Sequence, residues 1–216
     1  VVLAIGARVA GALDYSQAHH VVHRDGKPAN IMWDPATDTV KVMDFGVARI
    51  TDASKTRTGI VLGTPSFMSP EQLCGAKVDG RTDLYALGVT LFQLLTGALP
   101  LRAQSMPELM HKIVHVPAPD VRTLRPDLPE ALATLVAKAL NKRPEDRYQT
   151  GAQLAQVLTH AMDNALEQSI GEAIAAVVYD PDRSPAEKNM LLTKTTVLEH
   201  PQQQSPASRP VAAPVG

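Results

Sequence analysis

The stretch from Asp79 to Gly97 is what most limits the folds open to this chain. Leu84, Leu87, Leu91, Leu94 and Leu95 fall at three-and-four spacing, the period of one helix face. Gly97 stands where a left-handed residue would stop the helix. Few charges follow Asp83, so the helix has no broad polar face to turn to water. Such a helix is covered on most sides, which predicts a bundle packed around it. The leucine stripe is too short for sustained heptads and reads as core, not as a zipper.

The flanking sequence supplies elements to pack there. Residues 1–18 carry Ile5, Val9, Ala12 and Leu13 on a helical period, with no capping residue ahead of them, so the reading is of a chain that begins inside a helix. Asn30-Ile31-Met32-Trp33 and Val40–Met43 flank the turn-forming Asp34-Pro35-Ala36-Thr37-Asp38, which predicts a small hairpin pairing Ile31–Trp33 with Val40–Met43. Residues 44–71 show no sustained period, and a loop that long inside a compact domain is usually functional or mobile. Three further helices are expected over Met106–His115, Glu130–Leu140 and Thr150 to about Leu166.

Composition sets the remaining bounds. The chain has 216 residues, and its 44% hydrophobic share suffices for a packed core. Lys+Arg 21 against Asp+Glu 22 gives no electrostatic case for nucleic acid or an anionic membrane surface. No segment approaches the ~20 apolar residues of a membrane span, and the first residues lack the basic leader of a signal peptide. One cysteine, Cys74, fits a reducing compartment and reads as a small buried hydrophobe. Ser66 and Ser69 read as ordinary polar residues. Four prolines fall in the last sixteen residues, PQQQSPASRPVAAPVG, which have the composition of a flexible linker.

The chemistry concentrates in His23-Arg24-Asp25-Gly26-Lys27-Pro28-Ala29-Asn30 and, after the hairpin, Asp44-Phe45-Gly46. If the backbone loops, the Asp25 carboxylate, Lys27 two places on and the Asn30 amide five places on converge, and the hairpin returns Asp44 to the same point. Asn30 and Asp44 are then two oxygen ligands for a hard divalent ion. Asp25 is left to hold a hydroxyl, and Lys27 is a point charge for a phosphate. Phosphoryl transfer needs these parts, because its catalysis is mostly positioning plus charge neutralisation. His19, His20, His23 and Asp25 do not complete a metal site of ordinary spacing, since no cysteine or second carboxylate joins them.

HRDGKPAN resembles the catalytic loop of protein kinases, and DFG resembles their metal-binding turn. The resemblance continues in order over roughly residues 1–160. Gly63-Thr64-Pro65 and Ser69-Pro70-Glu71 resemble the end of an activation segment, with SPE in place of APE. Asp83 and Gly88 match the Asp-x-x-x-x-Gly of the central helix, and Arg147 in KRPEDRYQT matches the late arginine. The nearest subgroup is the bacterial, Hanks-type serine/threonine kinases. The resemblance implies a mainly α fold, a kinase-like C-terminal lobe with a helical bundle and a small β hairpin at the active site. It implies a catalytic lobe over 1–162; beyond it the weakening pattern reads as a helical or irregular extension over 163–200, and composition gives a disordered linker over 201–216.

The resemblance also implies roles. Asp25 would orient the substrate hydroxyl and accept its proton, Lys27 would contact the γ-phosphate of ATP, and Asn30 and Asp44 would hold Mg²⁺. Met32 would floor the adenine. Thr64 would bond to Asp25 and Lys27 and shape the acceptor site. His23 would pack on Phe45, which alone would be a core aromatic. Asp83 would brace the catalytic loop, and Glu71 would pair with Arg147. Arg24 would receive a phosphate on the activation loop, with Thr56 and Thr58 the leading sites and Thr51 and Ser54 behind them.

No Gly-x-Gly-x-x-Gly loop and no Ala-x-Lys strand occur in the chain, so the N-terminal-lobe nucleotide clamp has no counterpart in it. Residues 1–216 alone are therefore expected to transfer phosphate negligibly. The apolar face that such a lobe would cover predicts self-association. Three functions follow: the C-terminal lobe of an active kinase acting on Ser/Thr of protein substrates, a non-catalytic half-domain that scaffolds kinase partners or substrates, or a small-molecule phosphotransferase. The intact Asp25, Lys27, Asn30 and Asp44 favour the first over the second. The Lys27 spacing, the DFG and the SPE segment argue against the third. The expected location is the cytoplasm, including the cytoplasmic part of a longer anchored protein.

Overall fold

The computed structural model describes residues 1–37, 39–44 and 65–178, and side chains of the last helix as far as Ala165. The chain divides into two compact units, Val1–Asp163 and Asn164–Gly216. The first holds nearly all the described structure. In the second, the described part is helical backbone from residue 164 to residue 178.

The first unit opens with helix α1 (Val2–Ala18), whose buried positions Gly6, Val9, Ala10, Leu13 and Ser16 recur at helical spacing. A loop and a single 3₁₀ turn, Pro28–Asn30, lead into β1 (Ile31–Asp34) and β2 (Thr39–Val42). The two strands are antiparallel, with Ile31 opposite Val42 and Asp34 opposite Thr39. The hairpin is thus as expected, but shifted: Asp34 belongs to β1 and Met43 lies beyond β2. Asp34 accepts from the Ala36 N–H and the Thr37 hydroxyl, a side-chain turn that lets it end the strand.

After a 3₁₀ turn at Pro65–Phe67 come α2 (Pro70–Leu73), α3 (Gly80–Thr96), α4 (Met106–His115), α5 (Glu130–Ala139) and α6 (Gly151–Val178). The central helix α3 is bounded by local chemistry. Asp79 accepts from the Arg81 N–H at its start, and Gly97 takes φ 73° at its end, a conformation that a Cβ would strain. Residues 82–92 of α3 are all buried, with Leu84 and Phe92 fully inaccessible. α1 and α5 pack against it, and Val9, Leu13, Leu132, Val136, Leu154 and Leu158 complete the core around it.

Four sequence readings change here. Leu94 is 44% exposed, because the last turn of α3 emerges from the bundle. α6 runs twelve residues past Leu166, since no proline interrupts it before Pro181. Cys74 is exposed: it follows a one-turn helix whose exit, through Gly75 at φ 65°, carries it outward. Ser69 is fully buried and caps α2. Among the described residues no helix is long and apolar enough to cross a membrane.

Candidate active site

The site is built on the loop between α1 and β1, and the buried end of α3 sets its shape. Asp83, 2% exposed, accepts from the N–H of His23 through Oδ2 and from that of Arg24 through Oδ1, both at 2.8 Å. Burial pushes the Asp83 carboxyl above its ordinary pKa, and the two amide bonds pull it back. One side chain thus fixes two consecutive peptides. Arg24, at the end of the second, takes φ 68°, uncommon for a residue with a Cβ.

His23 ties this loop to the far strand. Its ring is fully buried; Nδ1 accepts from the Asp25 N–H at 3.2 Å, so Nε2 carries the proton and donates to the Met43 carbonyl at 2.7 Å. Met43 N–H in turn donates to the Asn30 carbonyl at 2.8 Å. These bonds bring the end of β2, and with it Asp44, beside the loop that carries Asp25. Asp44 is exposed and takes φ 60°.

Within the loop the polar side chains converge on Asp25. Lys27 Nζ donates to Asp25 Oδ2 at 2.8 Å, and Asn30 Nδ2 donates to the same oxygen at 3.0 Å and to the Asp25 carbonyl at 2.8 Å. Asn30 is buried, whereas Asp25 and Lys27 each keep about a third of the side chain exposed (36% and 33%). The ion pair therefore adds little stability; its effect is to place an ammonium against a carboxylate at the surface. Asn30 directs its amide nitrogen to Asp25, which leaves its carbonyl oxygen as the atom suited to a cation. That oxygen and the Asp44 carboxylate are hard donors of the kind Mg²⁺ takes. Met32, on β1, is 54% exposed, and Trp33 and Met43 are also exposed beside it.

Below the loop lies a second buried group. Glu71, in α2, receives both terminal nitrogens of Arg147, at 2.8 and 2.7 Å, and the Thr82 hydroxyl at 2.7 Å. Burial raises the Glu71 pKa, but the Arg147 hydrogen bonds and charge outweigh it and hold the carboxyl below its ordinary value. Thr82 was not singled out by sequence reading, and neither was Gln72. Gln72 Oε1 accepts from the Ser69 N–H at 3.0 Å while the Ser69 hydroxyl accepts from the Gln72 N–H, the reciprocal pair of a capping box. Gln72 Nε2 also donates to the Arg24 carbonyl at 3.0 Å. Ser69-x-x-Gln72 was the legible signal for the cap, and nothing local signalled the bond to Arg24.

The structure thus brings together His23, Arg24, Asp25, Lys27, Asn30 and Asp83, and separately Glu71 with Arg147. Phe45, Thr51, Ser54, Thr56, Thr58 and Thr64 lie outside the described residues, as does the linker over 201–216.

A family model described as protein kinase domain matches residues 2–162. The chain belongs to that family. Within it, the chain is of the bacterial serine/threonine, Hanks type. It is 45% identical over 157 residues to the serine/threonine-protein kinase pkn3 of Myxococcus xanthus, covering 68% of this chain and 28% of that kinase. It is 35% identical over 224 residues to PknH of Mycobacterium bovis, covering 98% of this chain and 36% of the relative. A crystal structure of the PknI kinase domain of Mycobacterium tuberculosis superposes with a TM-score of 0.55 at 33% identity, over 74% of this chain and 54% of that one. The chain therefore spans 28% to 36% of these curated relatives' length and about half of that solved kinase domain. The fold is that of a kinase C-terminal lobe: mainly helical, with one two-stranded sheet among the described residues.

Proposed function

We propose that the natural protein carrying this chain transfers the γ-phosphate of ATP to serine or threonine hydroxyls of protein substrates, and that Asp25 is its catalytic residue. The observation that supports this most is the convergence of Lys27 Nζ and Asn30 Nδ2 on one oxygen of Asp25, on a loop braced from below by Asp83. The carboxylate is oriented, partly exposed and acceptor-only, as suits a group that aligns a hydroxyl and takes its proton. Lys27 supplies a point charge on the same surface for the transferring phosphoryl group. Asn30 and Asp44 would hold Mg²⁺, which when bound neutralises phosphate charge. The exposed Met32 would lie under adenine.

Arg24 fits a regulatory role in this reading. Its Nε is buried without a hydrogen-bond partner among the described residues, so an added phosphate on Thr56 or Thr58 would meet an unsatisfied donor. The chain supplies one wall of a nucleotide site, and residues 1–216 by themselves are proposed to be nearly inactive.

The test uses the natural protein with radiolabelled ATP, Mg²⁺ and a serine-rich acceptor protein, beside its Asp25→Asn variant. Label is expected on phosphoserine or phosphothreonine, and the variant should lose about 10²-fold or more of the rate. Incorporation that survives Asp25→Asn would sink the proposal.

A further inference from the structure

We infer that Gln72 is a positioning residue that holds the Asp25 loop in place through the carbonyl of Arg24. Its catalytic consequence rests on the kinase reading above; its structural content does not. Three bonds converge on this one side chain. Its Oε1 accepts from the Ser69 N–H at 3.0 Å and from the Ser69 hydroxyl at 3.3 Å, and its Nε2 donates to the Arg24 carbonyl at 3.0 Å. The amide therefore spans two segments 48 residues apart in sequence, with its acceptor on α2's cap and its donor on the catalytic loop.

The carbonyl it grips matters because of what stands on either side. Arg24 is in the left-handed region, and its N–H is fixed by Asp83. The N–H of the same peptide as that carbonyl, the Asp25 N–H, is fixed by His23 Nδ1. Asp83 and His23 thus hold the donors of this strained turn, and Gln72 holds the acceptor between them. Without Gln72 the Arg24–Asp25 peptide is tethered on its N–H side alone and can tilt, which would move the Asp25 carboxylate relative to Lys27 and Asn30. α2 also packs against α4, and so does the Pro65–Phe67 turn just before it. Gln72 thereby gives this packed segment, the end of the stretch that sequence reading assigned to activation, a direct bond to the loop of the candidate base.

Gln72→Glu separates this role from capping. It keeps an oxygen for the Ser69 N–H and replaces the donor facing Arg24 with an acceptor. Ser69→Ala does the converse, weakening the cap while leaving the Gln72 amide free to hold Arg24. In the full natural protein, backbone hydrogen exchange of residues 23–27 is expected to rise about tenfold in Gln72→Glu and to stay near wild type in Ser69→Ala. With ATP and a protein acceptor, Gln72→Glu should lower kcat about tenfold with KM for ATP changed less than twofold, the pattern of a displaced catalytic group and not of lost nucleotide binding. Gln72→Met, of similar length and uncharged, should reproduce both effects and guards against a misfolded Glu variant. Unchanged exchange at 23–27 in both Gln72 variants would overturn the inference. So would a Ser69→Ala variant that matches them, since the role would then be capping alone. A wild-type protein without phosphotransfer would overturn the kinase reading instead, and the exchange data would still decide the case for Gln72.

Discussion

At the scale of single residues, Arg147 shows why an arginine was needed. It is 2% exposed and every one of its donors is matched. Nε reaches the Asn141 carbonyl at 2.7 Å, one terminal nitrogen reaches Glu71 and the Arg81 carbonyl, and the other reaches Glu71 and the Lys142 carbonyl. The Tyr85 ring lies 4.9 Å from the guanidinium carbon, so even the flat face has a partner. A lysine has three donors on a point charge and cannot make this set. Arg147→Met is therefore expected to cost about 3–5 kcal/mol, chiefly because Glu71 is left as an unpaired buried carboxylate. Adding Glu71→Gln to it should recover part of that loss. Denaturant midpoints of the two variants check this, and equal midpoints would show that the unpaired carboxylate is not the cause. This pair was legible only through family resemblance, because its partners are 76 residues apart and no local pattern joins them.

At the scale of elements, the crossing of α3 on α5 turns on Gly88. A Cβ built there would stand 2.9 Å from the Ala139 Cβ and 3.4 Å from the Ala139 backbone carbon, atoms with no rotamer to yield. Gly11, in α1, has nothing within 4 Å. Glycine to alanine favours a helix by about 1 kcal/mol in either place. At Gly88 the overpacking cost of about 1–3 kcal/mol outweighs that gain, and at Gly11 nothing opposes it. Gly88→Ala should thus lower the melting temperature by a few degrees and Gly11→Ala should raise it slightly; a rise in both would remove the close crossing as an explanation. Gly88 was read from the sequence as a family position, and its reason is this contact. The long helices were legible for physical causes of the same local kind. α3 has both its stops in adjacent residues, the Asp79 side chain and the left-handed Gly97 backbone, and α4 begins at Ser105, whose hydroxyl accepts from the Glu108 N–H. α2 was not legible as a helix, because four residues are too few to show a period. The loop that carries Asp25 was legible as a set of residue types, whereas its bracing by His23 ring nitrogens and by Gln72 depends on contacts that only the fold creates.

At the scale of the whole folded unit, the buried ionisable groups set how stability varies with pH, and they act in different windows. Glu71 is held below its ordinary value, so its contribution is present at neutral pH and is lost as pH falls through its folded pKa. Asp83 is held above its ordinary value, so at neutral pH its buried charge costs stability, and protonation in acid relieves that cost. The acid limb therefore mixes opposite terms. The alkaline side is simpler to read. Lys142 is half-buried, its Nζ donates to the Ile113 carbonyl at 2.7 Å, and no carboxylate pairs with it among the described residues. Burial, with the Arg147 charge adding to it, pushes its pKa down to about 8 from an ordinary 10.5. Between those values the unfolded chain binds a proton that the folded chain has released, so this group makes stability rise with pH, and its effect levels off above the unfolded value. Tyr85, which burial pushes up to about 12, acts in the opposite sense where unfolded tyrosine ionises, so the raw profile does not isolate the lysine. The difference between wild type and Lys142→Met does. That difference should be flat below pH 8 and should shift in favour of wild type from pH 8 to about 10, read as urea midpoints at each pH. Because the amine is partly solvated, the shift is expected to be smaller than a fully buried lysine would give. A difference that stays flat across pH 8–10 would mean that Lys142 keeps its ordinary proton in the folded protein, and that the Ile113 carbonyl stabilises an ammonium there.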